Sequence, residues 1–438
     1  MTARPRRPGR PRSADFTTPL TIPGGAVAGA DVVRELPPEV ALPVWQVLRT
    51  VLLWAAEEPA QRSGLFEPCA MAEWERQLLE EAWEPDVRDP LAVLVGEMAR
   101  LSQAAPETIA KACLCVTDWA LEHGHVATAL AYAEAAALSW PQHPRYAWTA
   151  GRLMRAHGRP REAELWLKRA EKAATTAGDW EARLLALNSL GNTHAEKGNY
   201  RQAALAHTNA LRIARRKGWR EREGELLHDL FVAVAHEGDL DIAESHARAA
   251  LEIYCSTQHS RLLALAHDIA VLWMERDQFG RALPVFVEIA QHFKENNERM
   301  LVVSSAARAA GACCEEELYS QLAQEAATLE AQATSTRFLP RSLYLLGLGA
   351  WSLSDWESAE RLLVRAEQIA LERGENDIVT AAGHAAVAVR ERQSARVGHP
   401  PVTHTLTGRG TLAGRFVATL RKAPVLVTEG ILSRPLAA

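Results

Sequence analysis

Four residues in the first third of the chain have the side-chain types of a zinc site: Cys113, Cys115, His123 and His125. Thiolates and imidazoles are common zinc ligands. The two cysteines, however, lie in a stretch with helical periodicity, where residues two apart point about 200° away from each other. They cannot both face one metal ion. We therefore predict that they pack within a helix and bind no metal, and we interpret the adjacent Cys313 and Cys314 in the same way.

No other pattern indicates catalysis. The sequence has no Gly-rich phosphate loop followed by Lys-Ser or Lys-Thr, no Gly-x-Ser-x-Gly turn and no His-Glu-x-x-His helix. We predict a protein that is not an enzyme and that has no catalytic residues, no metal and no cofactor.

The composition is that of a globular, helix-rich protein. Hydrophobic residues make up 48% of the 438 residues, which is typical of a folded chain. We find no apolar run long enough for a transmembrane segment and no apolar core after the N-terminal arginines that would indicate a signal peptide. The six cysteines show no spacing typical of a secreted disulfide framework. We predict a cytoplasmic location.

Charge is distributed unevenly. Residues 1–13 carry +5 and residues 392–428 carry +6, while the whole chain carries −5, so the part between the tails carries −16. An acidic body repels nucleic acid and anionic membranes. Nucleic-acid binding is therefore expected only through the basic tails.

One sequence motif, the marker motif, recurs along the middle of the chain. The segment "GNYRQAALAHTNAL" (198–211) is echoed by "GHVATALAYAEAAA" (124–137), "GRPREAELWLKRAE" (158–171), "GDLDIAESHARAAL" (238–251), "DQFGRALPVFVEIA" (277–290) and "SDWESAERLLVRAE" (354–367). Its marker alanines are Ala129, Ala163, Ala203, Ala243, Ala282 and Ala359. Their spacings are 34, 40, 40, 39 and 77 residues, and the last leaves room for one degenerate copy. Fixed periods of this size indicate a helical repeat array.

The marker motif resembles the repeat of the tetratricopeptide repeat (TPR) family. The residues that carry the resemblance are Leu190, Gly191, Gly198, Tyr200, Ala203, Ala210 and Leu211, with Pro141 at the closing position of the first copy. The 39- and 40-residue copies are similar to the extended repeats of bacterial regulators. The resemblance implies an all-α, right-handed TPR-like solenoid of about seven repeats over residues 106–376, with Gly191 and Ala203 where two helices of a repeat cross.

The rest of the chain is organised around this array. Residues 31–105 lack the marker motif and are expected to form an N-terminal helical module or cap. A capping helix is predicted over residues 377–393. The Pro-, Gly- and Arg-rich segments 1–30 and 394–438 are predicted to be a disordered basic tail and a flexible basic tail.

The TPR resemblance also implies a concave groove lined by the first helix of each pair, which holds a peptide or a helix of a partner. By register its lining residues are Arg145, Trp148, Arg152, Arg155, Asn188, Asn192, His228, His267 and Tyr344. Asn188 and Asn192 are four apart and share a helix face, where two carboxamides can bond to a peptide backbone. Each of these residues also has a structural alternative, with Trp148 in the core and the histidines hydrogen-bonded inside the protein.

The tails carry two further motifs. Gly9-Arg10-Pro11, among other arginines, is similar to the AT-hook core that lies in A·T-rich minor grooves, although a solubilising or processed leader explains so short a basic run better. Leu412, Phe416 and Leu420 form one apolar helix face beside basic residues. That helix has three candidate targets: a partner, a membrane surface or the chain's own acidic body, where it would act as a gate on the groove.

We conclude from the sequence that the chain is a non-enzymatic interaction scaffold that binds a protein or peptide partner in its groove. One alternative is a peptide-sensing signalling or transcription-associated regulator. Another is a nucleic-acid-associated protein that acts through its basic tails.

Overall fold

A computed structural model describes residues 29–100, 103–293, 296–332, 337–393 and 410–422. Within these residues the secondary structure is helical, with twenty α-helices and no strand. The chain divides into two compact units, Met1–Gly198 and Asn199–Ala438. Neither the N-terminal arginine motif nor residues 394–409 and 423–438 fall within the described part of the chain.

Within its described residues, the first unit contains nine α-helices and a short 3-10 turn at Arg62–Gly64. The helices are α1 (Ala30–Glu35), α2 (Pro38–Ala56), α3 (Pro68–Glu80), α4 (Pro85–Ala99), α5 (Pro106–Glu122), α6 (Val126–Ser139), α7 (Pro144–Ala156), α8 (Pro160–Ala177) and α9 (Trp180–Glu196). Six of them begin with proline. Proline suits this position because the first N–H of a helix has no partner within the helix.

The part of the second unit that the structure describes contains eleven helices. They are α10 (Tyr200–Lys217), α11 (Arg220–Glu237), α12 (Leu240–Thr257), α13 (Leu262–Glu275), α14 (Phe279–Ala290), α15 (Asn296–Ala312), α16 (Glu316–Gln332), α17 (Leu339–Ser352), α18 (Trp356–Arg373), α19 (Asn376–Arg390) and α20 (Leu412–Leu420). Helix α19 lies in the segment predicted to cap the array and packs on α18 and α17.

Inside each unit, helices that follow one another in sequence pack against one another. The pairs α5/α6 and α7/α8 lie in the first unit, and α11/α12, α13/α14, α15/α16 and α17/α18 lie in the second. The six marker alanines predicted at the helix crossings are all 0% exposed. These observations confirm the predicted all-α, TPR-like helical repeat.

Small residues let the paired helices approach closely. A Cβ added to Gly151 of α7 would lie 2.7 Å from Leu167 Cγ and 3.1 Å from the Ala163 carbonyl oxygen on α8. Gly347 of α17 stands in the same relation to Leu363 of α18, at 2.8 Å. The glycines therefore make room for a neighbouring helix, as the repeat pattern predicts.

The N-terminal helices share one hydrophobic core with the first repeats. Buried residues from Val32 of α1 to Ala186 of α9 form a single cluster. Glu35 of α1 accepts hydrogen bonds from the backbone N–H groups of Ala127 and Thr128 at the start of α6, at 2.9 and 2.8 Å. A carboxylate at this position stabilises the unpaired N–H groups of a helix N-terminus.

Helix α2 is, in the described part of the chain, the one helix long and apolar enough to cross a membrane by length and composition. The sequence analysis had not found a run of that length. In the structure Val44, Val47 and Val51 of α2 are 0% exposed, and the Tyr132 hydroxyl donates to the Val44 carbonyl oxygen at 2.7 Å. The apolar face of α2 is thus part of the core of the first unit.

Candidate functional site

The first candidate site is the face formed by α7 and α9 in the first unit. Trp148 joins the two helices, since its indole Nε1 donates to Ser189 Oγ at 2.9 Å. The Arg152 guanidinium lies over the Trp148 ring, 5.6 Å from the ring centroid. At the far end of the face, Arg155 forms an ion pair with Glu196. Four predicted groove residues (Arg145, Trp148, Arg152 and Arg155) therefore belong to α7, opposite α9.

A pocket of about 230 Å³ opens at the N-terminal ends of these two helices. It is lined by His143, Arg145, Trp148, Asp179, Glu181, Ala182 and Leu185. Asp179 caps α9, because its carboxylate accepts a hydrogen bond from the Ala182 N–H at 3.0 Å. The pocket thus has a basic side on α7, an acidic side on α9 and an apolar surface from Trp148 and Leu185.

The two predicted asparagines lie on α9, further along the same face. Both are half-buried. Asn188 Oδ1 is buried and has no hydrogen-bond partner in the structure. A buried acceptor without a partner costs about 1–3 kcal/mol, so the Asn188 carboxamide oxygen does not stabilise the protein's own fold.

The predicted groove histidines, His228 and His267, lie in the second unit, and His228 differs from the groove prediction. His228 of α11 is 1% exposed, and its Nε2 lies 2.9 Å from Asp268 Oδ2 on α13. His267 Nδ1 lies 3.3 Å from the other oxygen of the same carboxylate. The expectation that His228 lines an accessible groove is therefore not met, because helix packing buries its ring and Asp268 occupies its nitrogen.

Asp268 is the centre of this buried cluster. Burial would raise the pKa of its carboxyl group, but the hydrogen bonds from His228 and His267 outweigh burial and hold that pKa well below its ordinary value. The ring of Tyr254 on α12 lies edge-on to His228, with centroids 6.1 Å apart, and burial raises the pKa of the Tyr254 hydroxyl. The cluster holds α11, α12 and α13 together.

A second ion pair lies beside this cluster. Arg261 Nη2 lies 3.0 Å from Asp229 Oδ1, and the His259 ring stacks on Tyr254 at 4.6 Å. The ion pair and the ring stack lie inside the helix packing, which is a structural role. The buried Tyr254 hydroxyl and His228 Nδ1 have no hydrogen-bond partner there.

Tyr344, the last predicted groove residue, is half-buried on α17. Burial raises the pKa of its hydroxyl, and the nearby Arg308 opposes that rise. Arg308 donates to the Leu348 carbonyl oxygen and to Ser352 Oγ of α17, at 2.9 and 2.6 Å. Tyr344 therefore lies beside a cation that is already used to join α15 to α17.

The sequence reasoning missed Ser189, Glu181 and Leu185 around Trp148 in the first unit, and Asp268 in the second. Ser189 directly follows the predicted Asn188, and its side chain points about 100° away from the helix position that we assigned to the groove. Asp268 could have been identified from the sequence, because it is an acidic residue within the largely apolar helix "LLALAHDIAVLWME". A buried acid requires a partner.

The packing prediction for the cysteines is correct for Cys113 and Cys313, which are buried, and wrong for Cys115 and Cys314, which are exposed. Cys113 is buried, whereas Cys115 is exposed on another face of α5. No group of three or more His, Cys, Asp or Glu side chains among the described residues is placed to hold a metal ion.

No protein-family model matches the sequence, and no curated protein matches it. Solved helical proteins resemble the structure at low identity. The apo form of RapI has 10% identity and a TM-score of 0.42, covering 65% of this chain and 98% of RapI. A Rap protein complexed with competence and sporulation factor has 10% identity and a TM-score of 0.38, covering 81% and 98%.

A third solved structure, BtubC from P. vanneervenii, has 14% identity and a TM-score of 0.33, covering 62% of this chain and 92% of BtubC. These likenesses concern helical arrangement only. The function of this chain has to be argued from its own residues.

Proposed function

We propose that the chain is a non-enzymatic interaction protein, and that the α7/α9 face of its first unit binds a peptide segment of a partner protein. The observation that carries the proposal is the pocket beside Trp148. Its volume of about 230 Å³ is below the roughly 300–1,000 Å³ of typical small-molecule sites. A single apolar side chain of a peptide is a better match for it than a free metabolite.

The surroundings of the pocket fit the backbone and charges of such a peptide. Arg145 and Arg152 are exposed on one side, and Glu181 is exposed on the other. Asn188 and Asn192 continue the face along α9, where a carboxamide can both donate to and accept from peptide groups. An aromatic anchor beside arginines is a common composition of binding hot spots.

The proposal is tested with peptides selected from a random display library on the wild-type chain. Selected peptides are then titrated by fluorescence anisotropy against an Arg152→Ala/Asn188→Ala/Asn192→Ala variant. Each lost hydrogen bond is worth about 0.5–1.5 kcal/mol, so the variant should bind about 10- to 100-fold more weakly.

The matched control is Arg161→Ala/Lys172→Ala, which changes two exposed residues of α8. This control should bind the peptides like the wild type. If the triple variant binds as tightly as the control, the α7/α9 face is not the peptide site.

A further inference from the structure

The second unit carries a helix from the far end of the chain on its surface. Helix α20 packs against α14 and α12, although sixteen residues separate its preceding Gly410 from Gln393 after α19. Leu412 is 3% exposed, and Phe416 and Leu420 are 0% exposed. The apolar face that the sequence predicted is therefore docked on the chain's own body.

The contacts around this apolar face are polar and charged. Arg415 Nη2 lies 3.0 Å from Glu252 of α12, and Arg421 Nε lies 2.8 Å from Glu288 of α14. The Cys255 thiol lies 3.6 Å from the Thr419 hydroxyl. The docking surface on α12 and α14 thus combines an apolar patch with two carboxylates, and the docked helix α20 supplies two arginines.

The docking surface differs from the predicted groove. Helices α12 and α14 are the second helices of their pairs, whereas the predicted groove residues lie on first helices. The hypothesis that this tail gates the groove is therefore not supported by the described contacts of α20. A separate binding surface explains its position better.

Helix α20 has the properties of a replaceable ligand. It is nine residues long, and helices shorter than about 12–15 residues are marginal in water without a packing surface. Its arginine pairs are exposed at one partner or both, where ion pairs contribute little. Its hold on the body therefore depends on three apolar side chains and on being part of the same chain.

We propose that this surface of α12 and α14 is a binding site for a basic amphipathic helix of another protein, and that α20 is its intramolecular competitor. The partner helix carries large apolar residues at i, i+4 and i+8, with arginines placed to meet Glu252 and Glu288. Attachment to the same chain gives α20 an effective concentration on the order of millimolar. An external helix binds only when it outcompetes α20 or when α20 is released.

The probe for this site is a fluorescein-labelled peptide of residues 410–422, titrated by anisotropy into full-length protein. The Phe416→Ser variant loses its largest apolar contact and should leave the surface free. It should bind the peptide at least about tenfold more tightly than the wild type, because effective concentrations near millimolar suppress an outside ligand.

Two controls make the result specific. Ala418→Ser changes an exposed position of α20 and should bind like the wild type. Adding Glu252→Gln and Glu288→Gln to the Phe416→Ser chain should weaken peptide binding at least about fivefold. Equal peptide affinity in the wild type and in Phe416→Ser, with circular dichroism showing intact helices in both, overturns the proposal.

A second measurement does not depend on weakening α20. Thr419→Cys places a thiol beside Cys255, and oxidation should lock α20 in place. The oxidised variant should not bind the peptide, and reduction should restore wild-type binding. Absence of this disulfide, or a crosslink between Cys255 of one copy and position 419 of another, would show a different occupant and also overturn the proposal.

Discussion

His228 Nε2 lies 2.9 Å from Asp268 Oδ2 and joins α11 to α13 across forty residues of sequence. Both side chains belong to the first helices of successive repeats. His228, which the TPR register would place on an open groove, instead forms a hydrogen bond between neighbouring pairs of helices. Stability of the second unit should therefore depend on Asp268.

Asp268→Asn should lower the free energy of unfolding by roughly 3 kcal/mol at pH 7, because it removes the carboxylate that lies against His228 and His267. The measurement is guanidinium unfolding followed by circular dichroism. Asp118→Asn, at an exposed position of α5, is the control and should change stability little. Equal stability of both variants would mean that the Asp268 charge is not needed.

The pH dependence of the same pair has a definite sign. The pKa of Asp268 is lower in the folded chain than its ordinary value of 3.8, so folding favours the ionised carboxylate. Its contribution is complete above the unfolded pKa and is lost as the pH falls through the folded pKa. The stability difference between the wild type and Asp268→Asn should therefore shrink as the pH falls below about 4.

Replacement of two different helix glycines by alanine should change the stability of the chain in opposite directions. A Cβ on Gly311 of α15 would lie 2.7 Å from the backbone Cα of Gly349 on α17. Neither backbone can move without separating the helices, so Gly311→Ala should destabilise the chain by about 1–3 kcal/mol.

Gly383 of α19 is the matched comparison. A Cβ there would meet only Glu367 Oε1, at 2.8 Å, and this flexible side chain can turn away. Since alanine favours a helix by about 1 kcal/mol over glycine, Gly383→Ala should be neutral or stabilising. Thermal unfolding of both variants checks the pair, and a loss of equal size in both would refute the close contact of α15 with α17.

These elements show what sequence patterns specify. The marker alanines are predictable because a helix crossing needs a small side chain at a fixed place in each repeat, and all six are buried. The partner of His228 is not predictable, since one helical position decides whether a side chain faces the groove or the next helix pair. The apolar face of α20 can be recognised in the sequence. Its docking position on α12 and α14 cannot, because it depends on contacts with residues more than 130 positions away in the sequence.

The six cysteines should divide into two classes of reactivity. Cys113 and Cys313 are buried, whereas Cys69, Cys115, Cys255 and Cys314 are exposed. Burial raises the pKa of the Cys313 thiol to about 11, so little reactive thiolate forms at neutral pH.

A thiol reagent such as Ellman's reagent should therefore modify four thiols in the folded chain and six after unfolding. Cys113→Ala should leave the folded count at four, whereas Cys115→Ala should lower it to three. Six rapidly reacting thiols in the folded chain would contradict the packing of α5 and α15. Protection of Cys115 in the folded chain by added zinc would contradict our prediction that this residue binds no metal.

Glu35 should be needed to attach the N-terminal helices to the first repeat. Its carboxylate accepts from the backbone of Ala127 and Thr128, and from Thr128 Oγ1 at 2.8 Å. The start of α6 has no cap from its own side chain at His125, so Glu35 replaces the usual capping residue from 92 residues away. Glu35→Ala should destabilise the first unit by about 1–2 kcal/mol, the usual cost of a lost cap.

Hydrogen exchange measured by mass spectrometry locates this effect. Glu35→Ala should speed exchange in the first turn of α6 and in α1, whereas Glu39→Ala, at an exposed position of α2, should not. Glu35→Gln keeps an acceptor but loses the charge that favours a helix N-terminus, so it should fall between the wild type and alanine. If Glu35→Ala leaves exchange in α6 unchanged, the N-terminal helices are held to the repeats by their apolar contacts alone.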